Sequence, residues 1–103
     1  MLVTAGGRDD AERLGEGLVV DRLAACCNVV PTVASFYYWE DQLQRTHEAL
    51  LIIKTMESLA AAVEEYVRGH HSYEVPEILQ LPIEGGSSAY LDWLQGQVAK
   101  PSR

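Results

Sequence analysis

Cysteine is nearly missing from this chain: two of 103 residues, Cys26 and Cys27, and they are neighbours. Adjacent cysteines can bridge only through a strained eight-membered ring, which argues against a disulfide scaffold and fits a reducing compartment. Basic residues are scarce as well. Eight Lys and Arg stand against fifteen Asp and Glu, a net charge of −7. Nucleic-acid binders carry a basic face to neutralise phosphates, so no nucleic-acid partner is expected. Long apolar runs are also lacking. Stretches such as Ala49–Ile53 fall far short of the ~20 residues that cross a bilayer, so no membrane partner is expected. Nothing at the start reads as a leader: strand-like Leu2-Val3 and then Gly6-Gly7 follow Met1 at once. The expected location is the cytoplasm. There is no repeat and no low-complexity segment. Residues 1–99 read as one domain, with 100–103 a frayed tail.

Hydrophobic residues make up 48% of the chain and charged residues 22%, the balance of a folded domain with a real core. Residues 1–5 predict a strand. After the loop "GGRDD", Asp9 predicts a helix N-cap with Glu12 as its capping-box partner. The stripe Ala11, Leu14, Leu18, Arg22 and Ala25 carries that helix to about residue 25, and Gly15 and Gly17 inside it suggest close packing on a sheet. Residues 27–40 predict a long strand, with Pro31 demanding an edge or a bulge. A tight turn at 40–42 follows, where Asp41 tolerates a left-handed backbone. The next strand, 43–55, is polar first and continuously apolar from Ala49 to Ile53, as expected of an exposed hairpin tip leading to a buried base. Thr55 predicts a second cap, before a helix marked by Met56, Leu59, Ala62, Val63, Tyr66 and Val67 and stopped by Gly69. Residues 74–84 predict a further strand with Pro76 and Pro82 near its ends. Ser88 predicts the cap of a last helix facing inward through Leu91, Leu94 and Val98 and flanked by Tyr90 and Trp93.

The order β-α-β-β-α-β-α predicts an α+β fold: a ferredoxin-like split βαβ with an antiparallel sheet, two helices on one face and an extra C-terminal helix. In that topology strand 27–40 is an edge. It is long and aromatic ("SFYYW", 35–39), and such an edge invites pairing with another chain. A closed homo-oligomer is expected.

The segments "LVTA" (2–5), "RLAAC" (22–26), "YYWE" (37–40), "IKT" (53–55), "YEVPEI" (73–78) and "YLDWL" (90–94) resemble, in order and across nearly the whole chain, the CutA family of divalent-cation tolerance proteins. The resemblance implies a ferredoxin-like protomer in a tight homotrimer, cytoplasmic and linked to copper and other divalent metals. It also shows departures. His71-Ser72-Tyr73-Glu74 stands where the family usually reads His-Pro-Tyr-Glu, Asp41 stands where it usually has Gly, and Cys27 beside Cys26 is uncommon.

The chemistry concentrates in "GHHSYEVPE", residues 69–77. His70 and His71 are candidate ligands for Cu(II), Ni(II) or Zn(II). Neighbours on a helix diverge by about 100°, however, and no H-x₃-H or C-x-x-C spacing builds a closed site. They would hold copper or another divalent cation weakly unless trimer neighbours add ligands. The alternative is that they complement the helix C-terminus. Cys26 is a soft ligand for Cu(I), although most cysteines in such a setting are buried inert thiols. Glu40, Tyr73, Glu74 and Glu77 are expected in a cleft between subunits, as a cation site or as hydrogen-bonded interface polarity. Tyr37 and Trp39 are expected to pack rather than to bind. Gly6-Gly7-Arg8 is a weak anion loop, since Asp9 and Asp10 would repel an anion. No Ser/His/Asp or Cys/His grouping marks a nucleophile, so no enzyme is expected. The expected function is a homotrimeric divalent-metal (copper) binding and tolerance protein. The alternative is a signalling or scaffold module, similar to trimeric nitrogen-regulatory proteins, that binds a small ligand between subunits.

Overall fold

Side-chain alternation explains the sheet. In the strand Gln42–Lys54 (β3), Ala49, Leu51 and Ile53 are buried while the residues between them face the other way. β3 pairs with Leu2–Ala5 (β1) on one side and Cys26–Trp39 (β2) on the other. The two-residue strand Ile78–Leu79 (β4) closes the order β2-β3-β1-β4, antiparallel throughout. Helices Arg8–Val20 (α1) and Ala60–His70 (α2) cover one face, and Ser88–Val98 (α3) follows as the extra helix. This computed structural model describes residues 1–98; the tail expected at 100–103 lies outside the described residues. The ferredoxin-like split βαβ is the fold. Among the described residues no helix is long and apolar enough to cross a membrane.

The core lies between the sheet and its two helices: Leu14 and Leu18 from α1, Val63 and Val67 from α2, and Val3, Leu51 and Ile53 from the sheet. Gly15 explains how α1 comes so close. A Cβ there would stand 3.1 Å from Cys27 Cβ and 3.2 Å from Leu51 Cδ1. Gly17 serves another neighbour, since a Cβ there would run into the Tyr66 hydroxyl of α2 rather than the sheet.

Several boundaries differ from the sequence reading, each for a local reason. α1 begins at Arg8 with Gly7 as N-cap, so Asp9 sits in the first turn and caps nothing, and Glu12 pairs with Arg8 at 2.7 Å instead of closing a capping box. α1 also ends at Val20, not 25. Arg22 takes φ 61, its N–H bonds the Val19 carbonyl and the Leu23 N–H bonds the Leu18 carbonyl. This is a Schellman stop with arginine where glycine is usual. Thr55 does not cap α2. Its hydroxyl donates to the Leu23 carbonyl at 2.7 Å, and a 3₁₀ turn, Glu57–Leu59, leads into the helix. Gly69 lies within α2, which runs on to His70. α3 is capped one residue early, by Ser87, whose Oγ accepts from the Tyr90 N–H at 3.3 Å. The strand expected over 74–84 shrinks to Ile78–Leu79, the only part of it that meets β1.

The β2–β3 hairpin follows its sequence more closely. Pro31 falls in a bulge between Val30 and Val33, on an edge strand that needs no N–H there. Trp39 faces Gln42 across a two-residue turn in which Glu40 (φ 51) and Asp41 (φ 63) are both left-handed. That is a type I′ turn, which Asn-Gly fits best and glutamate fits poorly. Replacing Glu40-Asp41 by Asn-Gly is expected to stabilise the fold by about 0.5–1 kcal/mol, read as a rise in the thermal midpoint by calorimetry.

Candidate functional site

α2 delivers the two histidines to its end, and the chain turns between them. His70 closes the helix. Its Nδ1 lies 2.7 Å from the Tyr66 carbonyl, and because a carbonyl only accepts, Nδ1 carries the proton. The ring stacks on Tyr66, with centroids 4.1 Å apart and planes 17° from parallel. Nε2 keeps its lone pair on an exposed side chain.

His71 is the C-cap, already extended at φ −90, ψ 143. Its Nε2 donates to the Thr4 carbonyl of β1 at 2.7 Å, and its Nδ1 accepts the Tyr73 N–H at 3.0 Å. Both ring nitrogens of a neutral imidazole are thereby used, and no lone pair remains for an ion. The adjacent histidines therefore do different work: His71 ties the end of α2 to the sheet, while His70 presents a free nitrogen.

Tyr73 continues from this tie. Its hydroxyl donates to Glu48 Oε2 at 3.0 Å. Burial, then the Glu48 carboxylate, pushes the phenol up to about 12. Beside it, Asp10, Arg13, His70, His71 and Ser72 line a cleft of about 220 Å³, in which Asp10 and Arg13 pair at 3.1 Å.

The other candidate ligands lie elsewhere. Cys26 pairs with Lys54 at one end of the sheet, whereas Thr4, which holds His71, stands opposite Leu50. Four residues of strand separate those levels by about 14 Å, so Cys26 and the histidines cannot share one ion within a protomer. Among the described residues no three His, Cys, Asp or Glu side chains converge on one point. Glu40 sits in the hairpin turn, six residues along β3 from the Tyr73–Glu48 contact, or about 20 Å. Glu74 and Glu77 are exposed. Tyr37 and Trp39, expected to pack, are exposed as well, because the hairpin arm projects beyond the helices. The anion loop loses its arginine, since Arg8 is held by Glu12.

Glu48 and Thr4 escaped the sequence reading. Glu48 is the last polar residue before the apolar run, so the β1–β3 register alone would have placed it beside the end of β1. Nothing local signals that the Thr4 carbonyl would take a histidine.

Comparison with known proteins gives one consistent result. The family model for the CutA1 divalent ion tolerance protein matches residues 1–97. The chain is 46% identical over 93 residues to Protein CutA 1, chloroplastic, of Oryza sativa subsp. japonica, covering 90% of this chain and 52% of that protein. It is 40% identical over 95 residues to the divalent-cation tolerance protein CutA of Thermus thermophilus, covering 92% of each. The crystal structure of CutA1 from Oryza sativa superposes with a TM-score of 0.91 at 43% identity, covering 99% of this chain and 90% of that one. The chain spans about half the length of several of the curated relatives it matches.

Proposed function

The chain belongs to the CutA1 divalent ion tolerance family, and from that premise we propose that it works as a homotrimer that binds copper or a related divalent cation in metal tolerance. The observation that carries the assembly is the hairpin arm. Phe36 (59% exposed), Tyr38 (73%) and Leu43 (63%) crowd one face of it and Tyr37 and Trp39 the other, all left largely open to solvent by their own chain. Aromatics of this density are interface anchors rather than a solvated surface. The outer edge of β2 and the chain after β4, which pairs with no strand among the described residues, supply two free edges for strand pairing between copies.

An ion held by this protein takes its ligands from more than one copy in this reading. The support is that His70 offers a free ring nitrogen in each protomer, beside scattered carboxylates. Glu40, Glu74 and Glu77 belong to this reading as cleft residues, and Cys26 as a separate soft donor. The role is binding rather than catalysis, in the cytoplasm, which two free cysteines fit.

Light scattering on the purified protein tests the assembly, and growth under copper stress with the gene deleted and restored tests the role. For the ligand, His70→Phe keeps the stack on Tyr66 and removes the nitrogen. Calorimetric titration with Cu(II) is expected to show affinity falling by at least about tenfold. Unchanged affinity takes His70 out of the site.

A further inference from the structure

A second cavity is larger than the histidine cleft. It lies at the opposite end of the sheet, about 820 Å³ in volume, between the open sheet face, the chain after β4 and α3. That is within the size range of small-molecule sites. Leu2 and Ile52 form its floor, Leu81 and Ile83 one wall, and Leu91 and Leu94 the other. Leu2 and Ile52 are direct cross-strand partners, so the floor is continuous.

Two cationic groups border this apolar setting, the Met1 ammonium, which donates to the Ile53 carbonyl, and Lys54. Lys54, two residues beyond Ile52 and on the same face, is half-buried and lines the cavity. Among the described residues it pairs with no carboxylate, and its Nζ lies 3.9 Å from the Cys26 thiol. Glu57 also borders the cavity, but at the exposed mouth. An ammonium with no carboxylate partner among the described residues suits an anion, and leucine and isoleucine walls suit an apolar body.

We propose that this cavity binds a small amphipathic carboxylate, with its apolar tail over Leu2 and Ile52 and its carboxylate on Lys54. The inference is independent of the metal role, since none of the histidine-cleft residues lines this space. Specificity comes from the charge: the matching alcohol loses the ion pair and leaves the ammonium unsatisfied.

The probes are decanoate and decanol, titrated into the full chain as purified and followed by calorimetry and by amide chemical shifts. Decanoate is expected to saturate at one per chain and to shift residues 52–57 and 80–94, with decanol at least about tenfold weaker. Lys54→Gln is expected to bring the two probes level, and Leu91→Trp, which fills the cavity from one wall, to weaken both. No saturable decanoate binding up to about 1 mM overturns the proposal, as does equal decanoate affinity in Lys54→Gln. Binding that appears only after the assembly is broken by Phe36→Asp/Tyr38→Asp also overturns it and makes the cavity a seat for a second copy.

Discussion

If the chain assembles as proposed, replacing Phe36 and Tyr38 by aspartate is expected to leave single 11.4 kDa chains. Both side chains stand on the same face of the hairpin arm, two residues apart on β2, and neither belongs to the core between the sheet and its helices. Anchor aromatics at the centre of an interface cost about 2–4 kcal/mol each when truncated. A carboxylate buried in their place adds several kcal/mol more, because nothing cationic on this face compensates it except Arg45, whose guanidinium already lies 5.2 Å from the Phe36 ring centroid. In a closed ring the loss recurs at every contact, so the combined effect exceeds what any interface of ordinary size supplies. The variant should keep its helical circular dichroism, since α1, α2 and their core are untouched, while its scattering mass falls to that of one chain. If the mass is unchanged, the aromatic arm is not what holds copies together.

That prediction rests on features the sequence announces. β-branched and aromatic residues over 26–39, the switch from polar to apolar within 42–54 and the proline at 31 together set the long edge strand, its bulge and its projecting tip. The chain's own pattern is less informative where tertiary bonds override it. The stripe that continues through Arg22 and Ala25 reads as helix, yet the chain reverses at Arg22 so that the Ala25 N–H can bond the Lys54 carbonyl and start β2 in register. Thr55 reads as a cap but spends its hydroxyl on the same junction, through Leu23. Residues 74–84 have strand composition and, outside Ile78–Leu79, no strand partner among the described residues. Composition reports the capacity to pair, not the partner.

The site was legible in its cast and not in its geometry. "GHHSYEVPE" held the polar residues that matter, but the division of labour between His70 and His71 comes from a helix that ends between them. One ring falls back on Tyr66, and the other reaches across to Thr4. Ligand chemistry puts Cys26 and both histidines forward as donors. The sheet register places the thiol at the far end from the imidazoles, a separation that no linear spacing encodes.

Cys27 supplies the second large effect, in alkaline solution. It points to the helix side of the sheet, its Cβ in line with Gly15 of α1, and packs against the core. Burial, reinforced by the neighbouring Cys26 thiol, pushes its thiol up to about 11 from an ordinary value of 9.0. The folded state therefore holds a proton that the unfolded chain releases earlier. Stability from this group is fully present below pH 9 and is lost as pH rises towards and past 11, because between those values the unfolded state binds fewer protons. A shift of this size amounts to about 2–3 kcal/mol. Cys27→Ala removes it while leaving every other ionising group in place, so urea unfolding of parent and variant at matched protein concentration isolates the effect. The parent's advantage over Cys27→Ala should be constant from pH 7 to 9 and shrink by about 2 kcal/mol by pH 11. Parallel stability curves across that range would mean that the thiol ionises freely in the folded chain, and that the close approach of α1 at Gly15 does not keep water from it.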